Sequence, residues 1–166
     1  MSRGVITLFF AFSLIIVQTA LGHMIQFGQI RLDGLVALVA WHALSNPLPG
    51  GLLTVLGMGM LCESVSVLTN GIYILTFSSA YLIVRYILNH VIYPPVWQQI
   101  LLVAFISMIV VTATQIASGA TELVWPWGVA QAFLNGITAP VWFKTFDWLI
   151  LCIREISFLR KAIENR

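Results

Sequence analysis

The chain has 166 residues, 60% of them hydrophobic and only 8% charged, with a net charge of +2. An ordinary soluble domain carries about 25% charged residues, and a soluble fold of this size has too much surface to hide so many apolar side chains. Composition therefore argues against a conventional water-soluble domain, offers no basic stripe for nucleic acid, and makes lipid the fitting solvent. The length suits one domain.

A membrane span needs about 20 mostly apolar residues, or about 17 at the short end. The first run is Val5–Leu21, behind Arg3. A retained helix is the simpler reading, and a cleaved signal peptide is the alternative. A more polar stretch, His23–Asp33, follows. The second run covers 35–45 and is short for a span; Ser45, Asn46, Pro47 and Pro49 interrupt it. Pro47–Gly51 reads as a turn, so the second run and the third, 52–68, form a tight helical hairpin. Thr69-Asn70-Gly71 then punctuates the chain. The fourth run, 72–88, carries Arg85 near its end, and Asn89–Gln99 is a loop broken by Pro94 and Pro95. The fifth run, 100–117, is uninterrupted. Gly119–Gly128 is a loop with Glu122, Trp125 and Trp127. The sixth run covers 129–150 and leads into an amphipathic segment over about 148–164. There Trp148, Cys152, Ile156, Leu159 and Ile163 share one helical face opposite Asp147, Arg154, Lys161 and Glu164. This segment either lies on the membrane surface or continues the span as a stalk. The expectation is an all-α, polytopic bundle of six transmembrane helices.

Six spans put both termini on one side. Arg3 precedes the first span, and Arg154, Arg160, Lys161 and Arg166 follow the last, so that side is the cytoplasm. The same threading leaves only Arg31 as a basic residue on the far side. Trp97, Trp125 and Trp127 lie beside loops, where an aromatic belt is expected.

Three places could carry function. Glu63 lies in an apolar run, where a charge costs about 2.5–3.5 kcal/mol on insertion scales. Gly59, Cys62, Glu63 and Ser66 share one small, polar helical face. It is either a proton or ligand site or an anchor for helix packing near the outer interface. Gly128, Ala132, Gly136 and Pro140 repeat every four residues in the sixth run, with Asn135 beside them. Small residues allow close helix approach in lipid, so this face either packs internally or docks a partner, and Pro140 should kink the helix. The amphipathic tail suits lipid or protein. Cys62 and Cys152 read as small buried hydrophobes. His23, His42 and His90 are scattered, so no metal site is expected. No phosphate-binding loop or nucleophile–base pattern points to a cofactor or a catalytic residue, so none is expected and the chain reads as a non-enzyme.

Several of these features occur in one order. Arg31-Leu32-Asp33 precedes a short second span, and the Pro47–Gly51 turn follows it. Next come Gly57-Met58-Gly59 with Glu63, a turn ending at Gly71, Trp97-Gln98-Gln99, Asn135-Gly136 with Pro140, and a basic end. In this order, from Arg31 to about Arg154, the chain resembles the rod-shape-determining protein MreD family. It departs from the family's commoner pattern at Leu32, where proline is usual, at Glu63, where aspartate is usual, and at Lys144 and Asp147. The resemblance implies a non-catalytic scaffold subunit of the bacterial cell-elongation machinery in the inner membrane. Its expected partner is an MreC-like bitopic protein, and through it MreB filaments and the peptidoglycan synthase and transpeptidase. It also implies a fold similar to the substrate-binding subunits of energy-coupling-factor transporters. A small-solute-binding transporter subunit is the alternative, drawing on Glu63, Gln115 and Asn135 if they converge. A lipid-modifying enzyme is a third reading, for which no catalytic set is found.

Overall fold

A computed structural model describes residues 3–20, 33–66, 71–87, 94–117, 119 and 125–164. Six helices, and no strand, occur among the described residues: α1 (Arg3–Ala20), α2 (Gly34–Ser45), α3 (Gly50–Val65), α4 (Ile72–Ile87), α5 (Val96–Ala117) and α6 (Trp125–Glu164). The expectations about His23, Arg31, Leu32, Thr69-Asn70, His90 and Glu122 lie outside the described residues.

Two helices are long and apolar enough to cross a membrane: α5, and α6 over Pro126–Ile153. The other four are apolar but shorter. At about 1.5 Å per residue, α2 is only ~18 Å long against a hydrocarbon core of ~30 Å.

Several boundaries move relative to the sequence expectation. The third run, expected over 52–68, is helical over Gly50–Val65 and gives way to extended backbone at Ser66, so Gly50 and Gly51 of the expected Pro47–Gly51 turn belong to the helix. α5 begins at Val96, so 96–99 are helical, because the Pro95 carbonyl accepts from the Gln98 and Gln99 N–H groups (2.9 and 3.1 Å). α6 begins at Trp125, inside the expected loop; Pro126 suits a first turn, where its missing N–H has no partner to lose. The sixth run and the tail are one 40-residue helix. Pro140 does not divide it, although the Gly136 carbonyl loses its usual donor there. The tail's side chains beyond Glu155 lie outside the described residues.

The helices are arranged around α2. α1, α3, α4, α5 and α6 pack each on the next, and all five pack on α2. Among the described residues α1 and α6 do not pack on each other, so the ring is open between them. α2 is apolar on every side, the pattern of a helix with no solvent face. Its residues from Gly34 to Ala43 are all buried. Phe77, Tyr81 and Val84 of α4, Val103 and Ile106 of α5, and Phe143 and Phe146 of α6 share the core with it.

Candidate functional site

A helix leaves unpaired N–H groups at its start and carbonyls at its end, and in a short helix these are a large share of its backbone. Both ends of α2 are held by side chains. At the start, Asp33 caps the helix: its Oδ1 accepts from the Leu35 N–H (3.0 Å). The Asp33 N–H in turn donates to Asn135 Oδ1 of α6 (2.9 Å), and Asn135 Nδ2 donates to Ser107 Oγ of α5 (2.8 Å). One buried amide thus joins three helices.

At the other end, the Asn46 N–H continues the helix by donating to the His42 carbonyl (3.0 Å). The Asn46 carbonyl accepts from the Tyr81 hydroxyl of α4 (3.0 Å), while its Nδ2 lies 3.0 Å from His42 Nδ1. Gly51 lies where any side chain would collide with the Tyr81 hydroxyl, so glycine is needed for the first turn of α3 to pass that ring. Beside this end, Trp41 Nε1 donates to Asp147 Oδ1 (2.9 Å), which gives the carboxylate interrupting the sixth run a donor inside the bundle. Lys144 is exposed and carries no such tie.

The two expected faces separate in the fold. On α6, Gly128, Ala132, Asn135 and Gly136 are buried and Pro140 is half-buried. A Cβ on Gly136 would lie 2.8 Å from the Ile100 carbonyl oxygen and 3.0 Å from Ala104 Cβ, and one on Gly128 would lie 3.0 Å from Val111 Cγ1. This face is therefore filled by α5. On α3, a Cβ on Gly59 would lie 2.7 Å from Ile74 Cα, and Glu63 Oε1 accepts from the Ile74 N–H (3.2 Å). Glu63 thus caps the first turn of α4, where the helix dipole favours a negative group. Cys62 and Ser66, on the same face of α3, turn instead towards a cavity. Cys62 is buried, whereas Cys152 is only half-buried, unlike the buried position expected of both.

That cavity, of about 500 Å³, gathers residues from all six helices. It is lined by the C-terminal halves of α1, α3 and α5 and the N-terminal halves of α2, α4 and α6, so successive helices run in opposite directions. Gln115 lines it, as do Asp33 and Ser107, the two partners of Asn135. Glu63 is not among its described lining residues. Of the three polar residues whose convergence was in question, Gln115 lines the cavity, Asn135 bonds two lining residues without being one, and Glu63 caps α4.

The Trp41–Asp147, His42–Asn46 and Tyr81–Asn46 contacts carried no sequence signal, apart from the four-residue spacing of His42 and Asn46. Tyr81 lies 35 residues from its acceptor, and Trp41 lies 106 from its own. Among the described residues no group of three His, Cys, Asp or Glu side chains could hold a metal ion. Comparison with known proteins found no matching family, curated protein or solved structure.

Proposed function

We propose that this chain is a six-span protein of the bacterial cytoplasmic membrane, with both termini in the cytoplasm. In this reading it is a non-catalytic scaffold of the MreD type in the cell-elongation complex. It binds an MreC-like bitopic protein and thereby links MreB filaments to peptidoglycan synthesis.

The membrane part is supported by the distribution of polarity. The exposed side chains include Phe9, Phe12, Leu53, Leu75, Leu101, Phe105, Phe133 and Val141, whereas Gln99, Ser107, Asn135 and Asn46 are buried. Water would favour the reverse, and exposed apolar area spread over so many helices exceeds what a soluble monomer shows. Hydroxyls also bond back to carbonyls of their own helix, as Thr54 does to Gly50, Thr76 to Ile72 and Thr138 to Leu134. In hydrocarbon such internal bonds replace water. Six helices of alternating direction return the chain to its starting side, and the basic residues at both ends favour the cytoplasm.

One observation carries the scaffold part. Several of the residues on which the MreD resemblance rests hold the short central helix and its neighbours: Asp33 and Asn135 at its start, the Pro47–Pro49 segment at its end, and Gly59 with Glu63 at the next helix pair. None of them forms a nucleophile–base pair. The test is crosslinking in native membranes followed by purification of the tagged chain. Recovery of an MreC-like bitopic protein with cell-wall synthases is expected. Recovery of an ATPase module instead would favour the second reading, a solute-binding transporter subunit, to which the cavity lends support.

A further inference from the structure

α6 is longer than a membrane span requires. Its 40 residues rise ~60 Å at about 1.5 Å each, twice the ~30 Å of a hydrocarbon core. Its neighbours end before it does. Val111 of α5 lies against Gly128 and Ile100 against Gly136, so α5 runs antiparallel. It begins at Val96 and reaches only about two turns further along α6. α2 runs beside α6 to Trp41 at Asp147 and ends at Ser45, one turn on. Among the described residues α6 packs on no other helix. Its last turns therefore leave the bundle as a straight continuation of the same helix, without a break that would lay them on the membrane surface.

Two apolar stripes succeed each other along α6. The first faces the bundle: Ala139, Phe143 and Phe146 are buried, and Ile150 and Ile153 pack against the core. The next positions at helical spacing are Ser157, Arg160 and Glu164, so this stripe ends at Ile153. The second stripe lies about a third of a turn away. It starts at Trp148, which is 62% exposed, and continues through Cys152, Ile156, Leu159 and Ile163. From Cys152 its spacing is four, three and four, the repeat of a coiled-coil seam. Ile156 and Ile163 then take the a positions, and Cys152 and Leu159 the d positions. Isoleucine at a with leucine at d favours two parallel strands.

The flanking charges select the second strand. Glu155, which is exposed, takes a g position, and Arg160 takes the e position five residues on. In a parallel pair, a g residue of one strand faces the e residue five positions on in the other. Opposite signs at these two places make the segment complementary to itself, and two-fold symmetry uses the match twice. Arg154 and Lys161 take the f positions, opposite the seam. Two heptads are short for free peptides. Here they extend a helix that is already formed, and copies held in one bilayer meet at raised effective concentration.

From this we infer that the end of α6 is a self-association surface, on which two copies of this chain pair as a parallel two-stranded coiled coil over residues 152–163. The inference needs only that the copies share one orientation in the membrane, whichever side the tail lies on, and is independent of the MreC-like partner.

The test is oxidative crosslinking of the full chain in native membranes with copper phenanthroline. Cys152 should give a disulfide-linked dimer. Cys62 is buried, so the same dimer is expected with or without Cys62→Ser. In a Cys62→Ser, Cys152→Ser chain, Leu159→Cys should restore the dimer, and Lys161→Cys should give at least five-fold less. Glu155→Arg should reduce the Cys152 dimer at least five-fold, and combining it with Arg160→Glu should recover the original yield to within two-fold. Equal yields at Leu159→Cys and Lys161→Cys would indicate random collision and overturn the inference. It would also be overturned by absence of a dimer at both seam positions, by Cys152 trapping a different protein instead, or by a double charge reversal no better than Glu155→Arg alone.

Discussion

α2 and α5 are both strongly apolar, yet they solve opposite problems. α2 has 12 residues, of which Gly34 to Ala43 are buried against other helices, and its two ends are tied by Asn135 and Tyr81. α5 has 22 residues and shows an outer row that includes Trp97, Leu101 and Phe105, while Gln99, Ser107 and Val110 face inward. The long helix needs no side-chain tether to cross a membrane, because its middle is satisfied by its own ladder and its ends reach the interface. The short one depends on its neighbours at both ends. Hydropathy alone cannot distinguish a core helix from a lipid-facing one; length and the position of polar partners do.

That contrast can be broken at α2 first. Ala40 is fully buried, so Ala40→Leu adds three carbons to a closed core and should destabilise by about 1–3 kcal/mol. Thermal unfolding in a mild detergent would measure it, and an unchanged midpoint would mean that α2 has free space around it. Asn135→Ala removes the acceptor of the Asp33 N–H and the donor to Ser107. Hydrogen bonds between membrane helices average about 0.6 kcal/mol with a maximum of about 1.7, so the two together should cost roughly 1–3 kcal/mol. Tyr81→Phe loses one bond and should cost about 1 kcal/mol. Leu101→Ala, on the outer face of α5 at 61% exposure, should stay within about 0.5 kcal/mol in the same assay. A larger loss there than at Tyr81 would reverse the assignment of inner and outer faces.

Much of the fold was legible because apolar runs and turn residues mark helices directly. The second run ends at Ser45 in both the sequence reading and the structure, because Asn46-Pro47 cannot continue it. The expected Pro47–Gly51 turn is shorter in the structure, because Gly50 and Gly51 already belong to α3. The join between the sixth run and the tail was not legible: Pro140, Lys144 and Asp147 weaken the hydropathy signal, yet Lys144 is exposed and Asp147 finds Trp41, so nothing forces a break. The candidate site was legible only in part. Asn135 and Gly136 stand out as polar and small residues in an apolar helix, but their partners Ser107, Ile100 and Ala104 look like ordinary members of an apolar run. The cavity has no sequence signature at all, since six helices each contribute only a few residues to it.

The central claim is that the short α2–α3 hairpin crosses the membrane as two legs of a six-span bundle. Alkaline phosphatase fusions test it directly, because the enzyme is active only outside the cytoplasm. Fusions after Ser66 and Gly119 should be active, and fusions after Pro49, Pro95 and Arg166 inactive. Activity after Pro49 would place the hairpin turn outside the cytoplasm and contradict both the six-span order and the scaffold built on it.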